Sequence, residues 1–368
     1  MYPTPMRPTP VHPAPVVPPP YAIVVPTLGR PSLRACLDAV AAATASGCGP
    51  ARIVLVHDRP GPDGTPPAVD VPPALQPITT VVAGRARGPA AARNTGTRAA
   101  GQVPWIVFLD DDVVPAQSWG EALARDLASA SRDTAAVTAR IEVPLPPGRR
   151  PTDWERNTAG LATARWITAD MAFRREALEA AGGFDERFRR AFREDADLAL
   201  RLIEGGWVLA SGSRRTSHPV RPADRWISVR LQAGNADDVL MGRLHGPGWW
   251  GRAGAPRGRL PRHAAVTAAA AAAAGCALAG RRGAAAWCAA GWVAGAAEFA
   301  AARITPGPRT RDEVVTMAVT SAVIPALAVW HWLRGTVVHR RVGRAQPAAP
   351  PGSRPAAPQE APRAQVRS

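Results

Sequence analysis

Three consecutive carboxylates, Asp110, Asp111 and Asp112, directly follow the apolar run of residues 106–109. This run of β-branched and aromatic residues is typical of a strand buried on both faces, as in a parallel sheet. Adjacent carboxylates repel one another, and a divalent cation with oxygen ligands relieves that repulsion. Because open α/β sheets bind ligands at the carboxyl ends of their strands, the stretch predicts a Mg²⁺ or Mn²⁺ site. A solvated acidic turn ahead of Pro115 is the alternative interpretation.

A second acidic group opens a helix later in the chain. Glu194 and Asp195 precede Leu198 and Leu202, whose spacing marks the buried face of a helix. The two carboxylates therefore lie at the N-terminus of that helix, where its dipole favours their ionised form. Asp195 is the candidate general base, and Asp197, about 200° round the helix from it, is expected to orient a neighbour. An acidic turn that only stabilises the helix is the alternative.

The bulk composition limits the function classes that fit. The chain has 368 residues, is 46% hydrophobic and carries a net charge of +16. Its basic residues are all Arg and are dispersed, so we do not expect nucleic-acid binding, and the charge suits phosphates or lipid headgroups instead. The four cysteines have neither paired nor zinc-type spacing, which predicts reduced thiols in a cytoplasmic-facing protein.

The elements that must position these carboxylates alternate along the first hundred residues. Apolar runs at 21–25, 53–56 and 78–82 predict strands, and Ser32 begins a helix between the first two of them. Alternation of this kind predicts an α/β fold with a mainly parallel, doubly wound sheet flanked by helices. Arg93 and Asn94, on a helix that leads into the Asp110 strand, are expected near the strand ends.

Six stretches together resemble the family 2 glycosyltransferases of the GT-A fold. Each of them lies at a predicted strand or helix end. They are VVPTLGRP at 24–31, VHD at 56–58, RGPAAARNTG at 87–96, FLDDDVVP at 108–115, ADMAFRREALEAAGGFDERF at 169–188 and REDADLALRL at 193–202. The likeness covers about residues 21–220 of the chain.

The resemblance implies an inverting glycosyltransferase that uses a nucleotide-sugar donor, commonly a UDP-sugar, with Mn²⁺ or Mg²⁺ on its diphosphate. The residue roles it implies fall into four groups. These are nucleotide-sugar contacts by Pro26, Thr27, Arg30, Asp58, Arg93, Asn94, Asp110 and Asp111; metal binding by Asp112 and His218; catalysis by Asp195 with Glu194; and acceptor-side positions at Asp170, Gly183, Phe184 and Asp197. The family often has two acidic residues where this chain has His57 and Asp58, which leaves the nucleotide open.

Other interpretations remain at this point. His218 could be a capping or merely exposed histidine, and Asp170 could belong to a loop. A nucleotidyltransferase could use the same sheet and metal, and a non-catalytic, membrane-anchored scaffold could keep the sheet and its sugar-nucleotide site. The acceptor would offer a hydroxyl or a phosphate. A lipid-linked acceptor is a hypothesis that rests on the C-terminal apolar runs.

The domain organisation follows from composition. Apolar runs at 264–280, 283–302 and 314–333 are each near the ~20 residues that span a bilayer, with a soluble helical hairpin as the alternative for the first two. We expect the protein at the cell membrane with its catalytic domain on the cytoplasmic side. The predicted parts are a disordered Pro-rich arm without a signal peptide at 1–20, a GT-A domain at 21–245, a linker at 246–263, an apolar helical, transmembrane region at 264–338 and a disordered tail at 339–368.

Overall fold

The strands of the protein form one mixed sheet. The structure, a computed structural model, describes residues 17–45 and 47–353, so the expectations for 1–16 and 354–368 lie outside the described residues. The strands are β1 Tyr21–Thr27, β2 Arg52–His57, β3 Thr79–Ala83, β4 Trp105–Leu109, β5 Val114–Pro115, β6 Thr134–Glu142, β7 Asp170–Arg174 and β8 Val208–Ser217. Their order across the sheet is β3-β2-β1-β4-β7-β6-β8-β5.

Helices flank the sheet and continue beyond it. Those of the sheet domain are α1 Ser32–Thr44, α2 Pro89–Ala99, α3 Trp119–Ala128, α4 Asp153–Ala159, α5 Arg175–Ala180, α6 Glu194–Glu204, α7 Ile227–Arg230, α8 Gly234–His245 and α9 Trp249–Arg252. Three longer helices follow, which are α10 Leu260–Leu278, α11 Arg282–Ile304 and α12 Arg311–Val338. The predicted α/β class with C-terminal apolar helices is therefore confirmed.

The sheet is entirely parallel only in its first half. Strands β3, β2, β1 and β4 pair in parallel, and β6 is parallel to β8. Strand β7, however, runs antiparallel to both β4 and β6, and β5 runs antiparallel to β8. The prediction of a mainly parallel sheet thus fits β1 to β4, where strand and helix alternate. It misses the mixed half, because no short hairpin turn in the sequence marks those pairings.

The apolar runs of the central strands are buried on both faces, as their composition predicts. Alternate residues of β1, β2 and β4 pack into two separate layers, one against α1 and α3 and the other against α2 and α6. Helix α2 lies very close to the sheet at Gly96, where an added Cβ would collide with Cγ1 of Val24. This close approach matters because α2 carries Arg93 and Asn94.

The C-terminal helices are fastened to the sheet domain by a buried arginine. Arg303 of α11 is 7% exposed. Its guanidinium donates to Thr320 Oγ1 at 2.8 Å on α12 and to Asp153 Oδ2 at 2.7 Å on α4. The backbone N–H of Asp153 also donates to Glu313 of α12 at 2.9 Å. The α10–α12 region is therefore a packed extension of the domain at the start of α4.

Of the three predicted membrane runs, one gives a helix that meets the criteria for a span. Among the described residues, α12 alone is long and apolar enough to cross a membrane, with a mean hydropathy of 1.7. Helices α10 and α11 form at the predicted positions, but about half of their residues are Ala, which is only weakly apolar. The described part of the predicted tail also differs from expectation, since Ala348 is buried and Ala349 O accepts from the Trp207 indole at 2.8 Å.

Replacing Gly96 with Ala should lower the thermal stability of the protein. The added methyl must displace Val24 or lift α2 from the sheet, and overpacking of this kind costs about 1–3 kcal/mol. The matched control is Gly160→Ala, since no heavy atom lies within 4 Å of a Cβ added at Gly160. Thermal melting of both variants measures the difference. Equal melting temperatures would mean that α2 is not held at this distance.

Candidate active site

The three carboxylates after β4 separate into two environments. Asp111 is buried, at 2% exposure. Its side chain accepts from Thr27 Oγ1 at 2.7 Å and from Arg30 Nη1 at 3.0 Å. Asp111 therefore holds the loop that follows β1. The predicted nucleotide contacts Thr27, Arg30 and Asp111 thus form one polar cluster at the carboxyl edge of the sheet, and Pro26 precedes it on β1.

Asp110 and Asp112 meet His218 on the other side. One ligand atom from each residue lies within 4.8 Å of the other two. His218 lies there because it directly follows β8, and β8 pairs with β5, the short strand after the acidic turn. Its Nδ1 lies 3.3 Å from the carbonyl oxygen of Pro219, so Nε2 is the nitrogen presented to Asp112, at 3.7 Å from Oδ1.

This cluster has the chemistry of a divalent-cation site. Burial and then the neighbouring Asp110 raise the pKa of Asp112, whereas His218 and Arg221 lower it. A divalent cation would offset the burial of the two carboxylates, and two carboxylates with one imidazole suit Mn²⁺ or Mg²⁺. The residues present therefore fit the implied metal, with Asp110 as a third candidate ligand beside the predicted Asp112 and His218.

A buried guanidinium connects this cluster to the second acidic group. Arg93 is 1% exposed. Its Nη2 donates to Asp110 Oδ1 at 2.8 Å, and its Nη1 donates to Glu194 Oε1 at 2.9 Å. The guanidinium also lies over the ring of Phe184, at 5.6 Å from the centroid. Arg93 therefore sets the distance between the end of β4 and the start of α6.

The start of α6 holds Glu194 and Asp195 next to Arg93. Glu194 is buried, and burial together with the Asp195 carboxylate raises its pKa to about 8, although Arg93 opposes the shift. Asp195 is half-buried, and burial raises its pKa as well, while Arg93 lowers it. Arg193, just before the helix, has a left-handed backbone with φ of 77°, which is costly for a non-glycine residue. Such strain is common at functional sites.

Asp58 offers an unused acceptor atom at the end of β2. It is 6% exposed, and its Oδ2 accepts from the Gly88 N–H at 2.8 Å. Its Oδ1 is buried without a hydrogen-bond partner among the described residues. A buried carboxylate oxygen without a partner is unfavourable, so the position suits a ligand that donates an N–H. The backbone approaches closely here, since a Cβ on Gly84 would lie 2.7 Å from Asp58 Cα.

The turn at Gly183 and Phe184, predicted on the acceptor side, supports Arg93 instead. Asn94 accepts from the Phe184 N–H and donates to the Phe184 carbonyl oxygen, both at 2.9 Å. Gly183 has φ of 77°, and a Cβ there would lie 2.7 Å from Asn94 Oδ1, so only glycine fits. Phe184 packs against Phe108 and is 3% exposed. Asn94 therefore fixes the loop that holds the ring beneath the guanidinium.

The structure does not bring Asp170 and Asp197 to the cleft. Asp170 is fully buried on β7, where it accepts from Trp119 Nε1 at 2.6 Å and from Arg214 Nε at 2.9 Å. Asp197 is also fully buried. It pairs with two side chains that hold α6 in place, Arg201 at 2.8 Å and His245 at 2.8 Å. Both carboxylates are neutralised inside the fold and cannot touch an acceptor.

Sequence reasoning missed Arg221. Its Nε lies 2.8 Å from Asp112 Oδ2 in an ion pair, and its side chain is 41% exposed. The residue lies three positions after His218, between Pro219 and Pro222. A rigid, Pro-flanked loop directly after a strand was a signal for a functional position. The contact itself depends on the β5–β8 pairing, which the sequence does not mark.

Comparison with known proteins gives a family match for the sheet domain. Residues 22–181 match the family model described as Glycosyl transferase family 2. Pre-mycofactocin glycosyltransferases from two strains of Mycobacterium tuberculosis are 36% identical over 134 residues, which cover 33% of this chain. The match spans 27% of those relatives, about a quarter of their length. The resemblance read from the strand-end motifs is confirmed for this domain.

Two solved structures are also similar. The mannosyltransferase PcManGT from Pyrobaculum calidifontis, in complex with GDP-Man and Mn²⁺, is 22% identical with a TM-score of 0.49, covering 89% of this chain and 90% of that one. GalNAc-T7 with UDP, GalNAc and Mn²⁺ is 17% identical with a TM-score of 0.44, covering 61% and 49%. The family match for residues 22–181 rests on the sequence comparison.

The variant Glu194→Gln should flatten the pH dependence of stability. The unfolded chain releases this proton near pH 4.5, whereas the folded protein keeps it up to about pH 8. The contribution of Glu194 to stability is therefore present at low pH and is lost as the pH rises between these values. The midpoint of denaturant unfolding, measured across that window, reports the change. Glu179→Gln on the helix surface is the control, and parallel curves for wild type and Glu194→Gln would contradict the prediction.

Proposed function

We propose that this chain, whose residues 22–181 form a glycosyl transferase family 2 domain, is an inverting, metal-dependent glycosyltransferase. It transfers a sugar from a nucleoside-diphosphate donor, most simply a UDP-sugar, to an acceptor hydroxyl or phosphate. The observation that carries the proposal is the contact of Arg93 with both Asp110 of the metal cluster and Glu194 at the start of α6. This contact brings the acidic cluster and the start of α6 to one guanidinium, which supports a diphosphate site next to a candidate base.

The donor end of the proposed site lies at the carboxyl ends of β1, β2 and β4. The buried Oδ1 of Asp58 lacks a hydrogen-bond partner in the described part of the chain, and the imide N–H of a uracil would satisfy it. Thr27 and Arg30 donate hydrogen bonds to Asp111 and so shape the loop beside the nucleotide base. When bound, Mn²⁺ or Mg²⁺ on Asp112, His218 and Asp110 would supply Lewis-acid stabilisation for the departing diphosphate.

Asp195 is the proposed general base. In an inverting transfer the acceptor oxygen attacks the anomeric carbon, its proton passes to a carboxylate, and the bond from that carbon to the diphosphate oxygen breaks. Burial raises the pKa of Asp195 towards neutrality, which makes its carboxylate a stronger base. Arg93 opposes this rise in the pKa. Glu194, bound to the same guanidinium, positions Arg93 and the helix start.

The membrane part of the proposal rests on α12. That helix has the length and hydropathy of a span, and 33% of its most apolar window is buried inside the protein. Several of its large apolar side chains face outward, among them Val319, Trp330 and Leu333. We place the catalytic domain on the cytoplasmic side of the cell membrane, where a lipid-linked acceptor would meet the cleft at the bilayer surface.

Replacing Asp195 with Asn should abolish transfer while leaving donor binding intact. Loss of a general base lowers turnover by about 10²–10⁴-fold. The donor is found first, by metal-dependent thermal shift with UDP-, GDP- and dTDP-sugars, because a bound ligand raises the melting temperature. Release of the nucleoside diphosphate in the presence of membrane lipids then measures turnover. Transfer at the wild-type rate by this variant would contradict the assignment of Asp195 as the general base.

The variant Asp112→Ala separates metal binding from base catalysis. It should lose the metal-dependent thermal shift with the same donor, since one of three candidate ligands is removed. Asp133→Asn is the matched control, because Asp133 is exposed and precedes β6, at the edge of the sheet opposite the cleft. An unchanged shift in Asp112→Ala would place the donor's metal elsewhere.

A further inference from the structure

A pocket beside the metal cluster has no role in the function described so far. It has a volume of about 500 Å³ and is formed by three segments, residues 144–146, the start of α4 at 152–155 and residues 219–223. Its size falls within the ~300–1,000 Å³ of small-molecule sites. The third segment starts directly after His218 and contains Arg221, which forms an ion pair with Asp112. The pocket therefore adjoins the proposed reaction centre.

The walls of this pocket are mainly apolar. They include Leu145, Trp154, Val220 and several prolines. Leu145 is 39% exposed, so part of its apolar side chain is open to a ligand. A site built for a free sugar chain would instead present amide, hydroxyl and carboxylate groups to the sugar hydroxyls, since buried polar groups need hydrogen bonds.

The polar groups of the walls are already satisfied within the protein. Glu155 accepts from Arg149 through both oxygens, at 2.7 and 2.6 Å, and this pair lowers its pKa to about 2. Thr152 Oγ1 accepts from the Glu155 N–H in a capping box. The Trp154 indole donates to the carbonyl oxygen of Arg221 at 2.7 Å and fixes the 219–223 segment. The exposed charge of the pocket is the guanidinium of Arg221, at the side of the metal cluster.

One wall of the pocket is joined to the helix that could cross a membrane. Trp154 and Glu155 line the pocket, and the preceding residue, Asp153, bonds to Arg303 of α11 and to Glu313 of α12. The pocket wall and the candidate span are therefore held in a fixed relation. An acceptor that is anchored in a bilayer would approach the cleft from this side.

We propose that this pocket binds the acceptor, and that the acceptor is an anionic lipid with a hydroxylated headgroup. Its apolar portion lies against Leu145, Trp154 and Val220, and its phosphate lies beside Arg221. The inference rests on the proposed glycosyl transfer and adds the place and chemical class of the acceptor. It also replaces the buried Asp170 and Asp197 as the acceptor side of the site.

Photo-labelling of the full chain tests the pocket. The chain is reconstituted in phosphatidylcholine vesicles that contain either phosphatidylglycerol or phosphatidylcholine with a photoreactive acyl chain. The phosphatidylglycerol probe should label peptides that contain residues 144–154 and 219–223, and the phosphatidylcholine probe should label only α10–α12. Leu145→Glu should lower the pocket label about tenfold, as expected when roughly two buried methylene contacts are lost.

Two further variants make the result decisive. Val220→Glu alters the opposite wall and should act as Leu145→Glu does. Ile203→Glu is the control, because Ile203 is a large aliphatic residue of similar exposure, 43%, on α6 outside the pocket. Label confined to α10–α12, equal pocket label from both lipids, or pocket label unchanged in the two Glu variants would overturn the proposal. The metal-dependent donor shift, measured on the same samples, reports separately on whether the chain is a transferase.

Discussion

The buried guanidinium of Arg93 joins parts of the chain that lie far apart in sequence. A charge this deep in a protein is tolerated only when it is paired, and removal of one partner of a buried ion pair costs about 3–5 kcal/mol. Arg93 is hydrogen-bonded to two carboxyl groups, Asp110 after β4, which also pairs with its charge, and Glu194 on α6. Other features of the domain maintain this pairing. Gly96 lets α2 approach the sheet, and Asn94 holds the turn whose phenylalanine ring lies beneath the guanidinium. The spacing between metal cluster and candidate base therefore follows from one side chain and its supports.

Much of this site could be predicted from sequence, because the carboxyl ends of parallel strands meet at one edge of a sheet. The positions of Asp58, Asp112 and Asp195 depend only on where an apolar run ends or a helix begins, and both patterns are local. The environments of Asp111, Asp170 and Asp197 could not be predicted. Their partners come from distant segments through pairings that leave no local pattern, as with Arg214 on β8 or His245 at the end of α8.

The C-terminal helices, too, could be predicted from the sequence only in part. Their positions follow from composition, and all three apolar runs form helices. Their attachment to the sheet domain could not be predicted from composition, because it depends on a single charged residue. This residue, Arg303, lies at the end of an Ala-rich run and bonds to both α4 and α12. The same attachment also affects the apolar pocket. The helices hold the start of α4, which forms a wall of the apolar pocket beside the metal cluster, so membrane association and acceptor choice would depend on the same contact.

One guanidinium joins the candidate metal cluster to the start of α6, and the variant Arg93→Lys tests its part in the proposed transfer most directly. Lysine keeps the positive charge, but its single ammonium lacks the planar fork that reaches both Asp110 and Glu194. Metal-dependent turnover of the nucleotide sugar should fall by about 10²-fold, the cost of misplacing catalytic groups by ~1 Å. Arg98→Lys, on the exposed side of the same helix, should turn over at the wild-type rate. Wild-type turnover by Arg93→Lys would contradict the account.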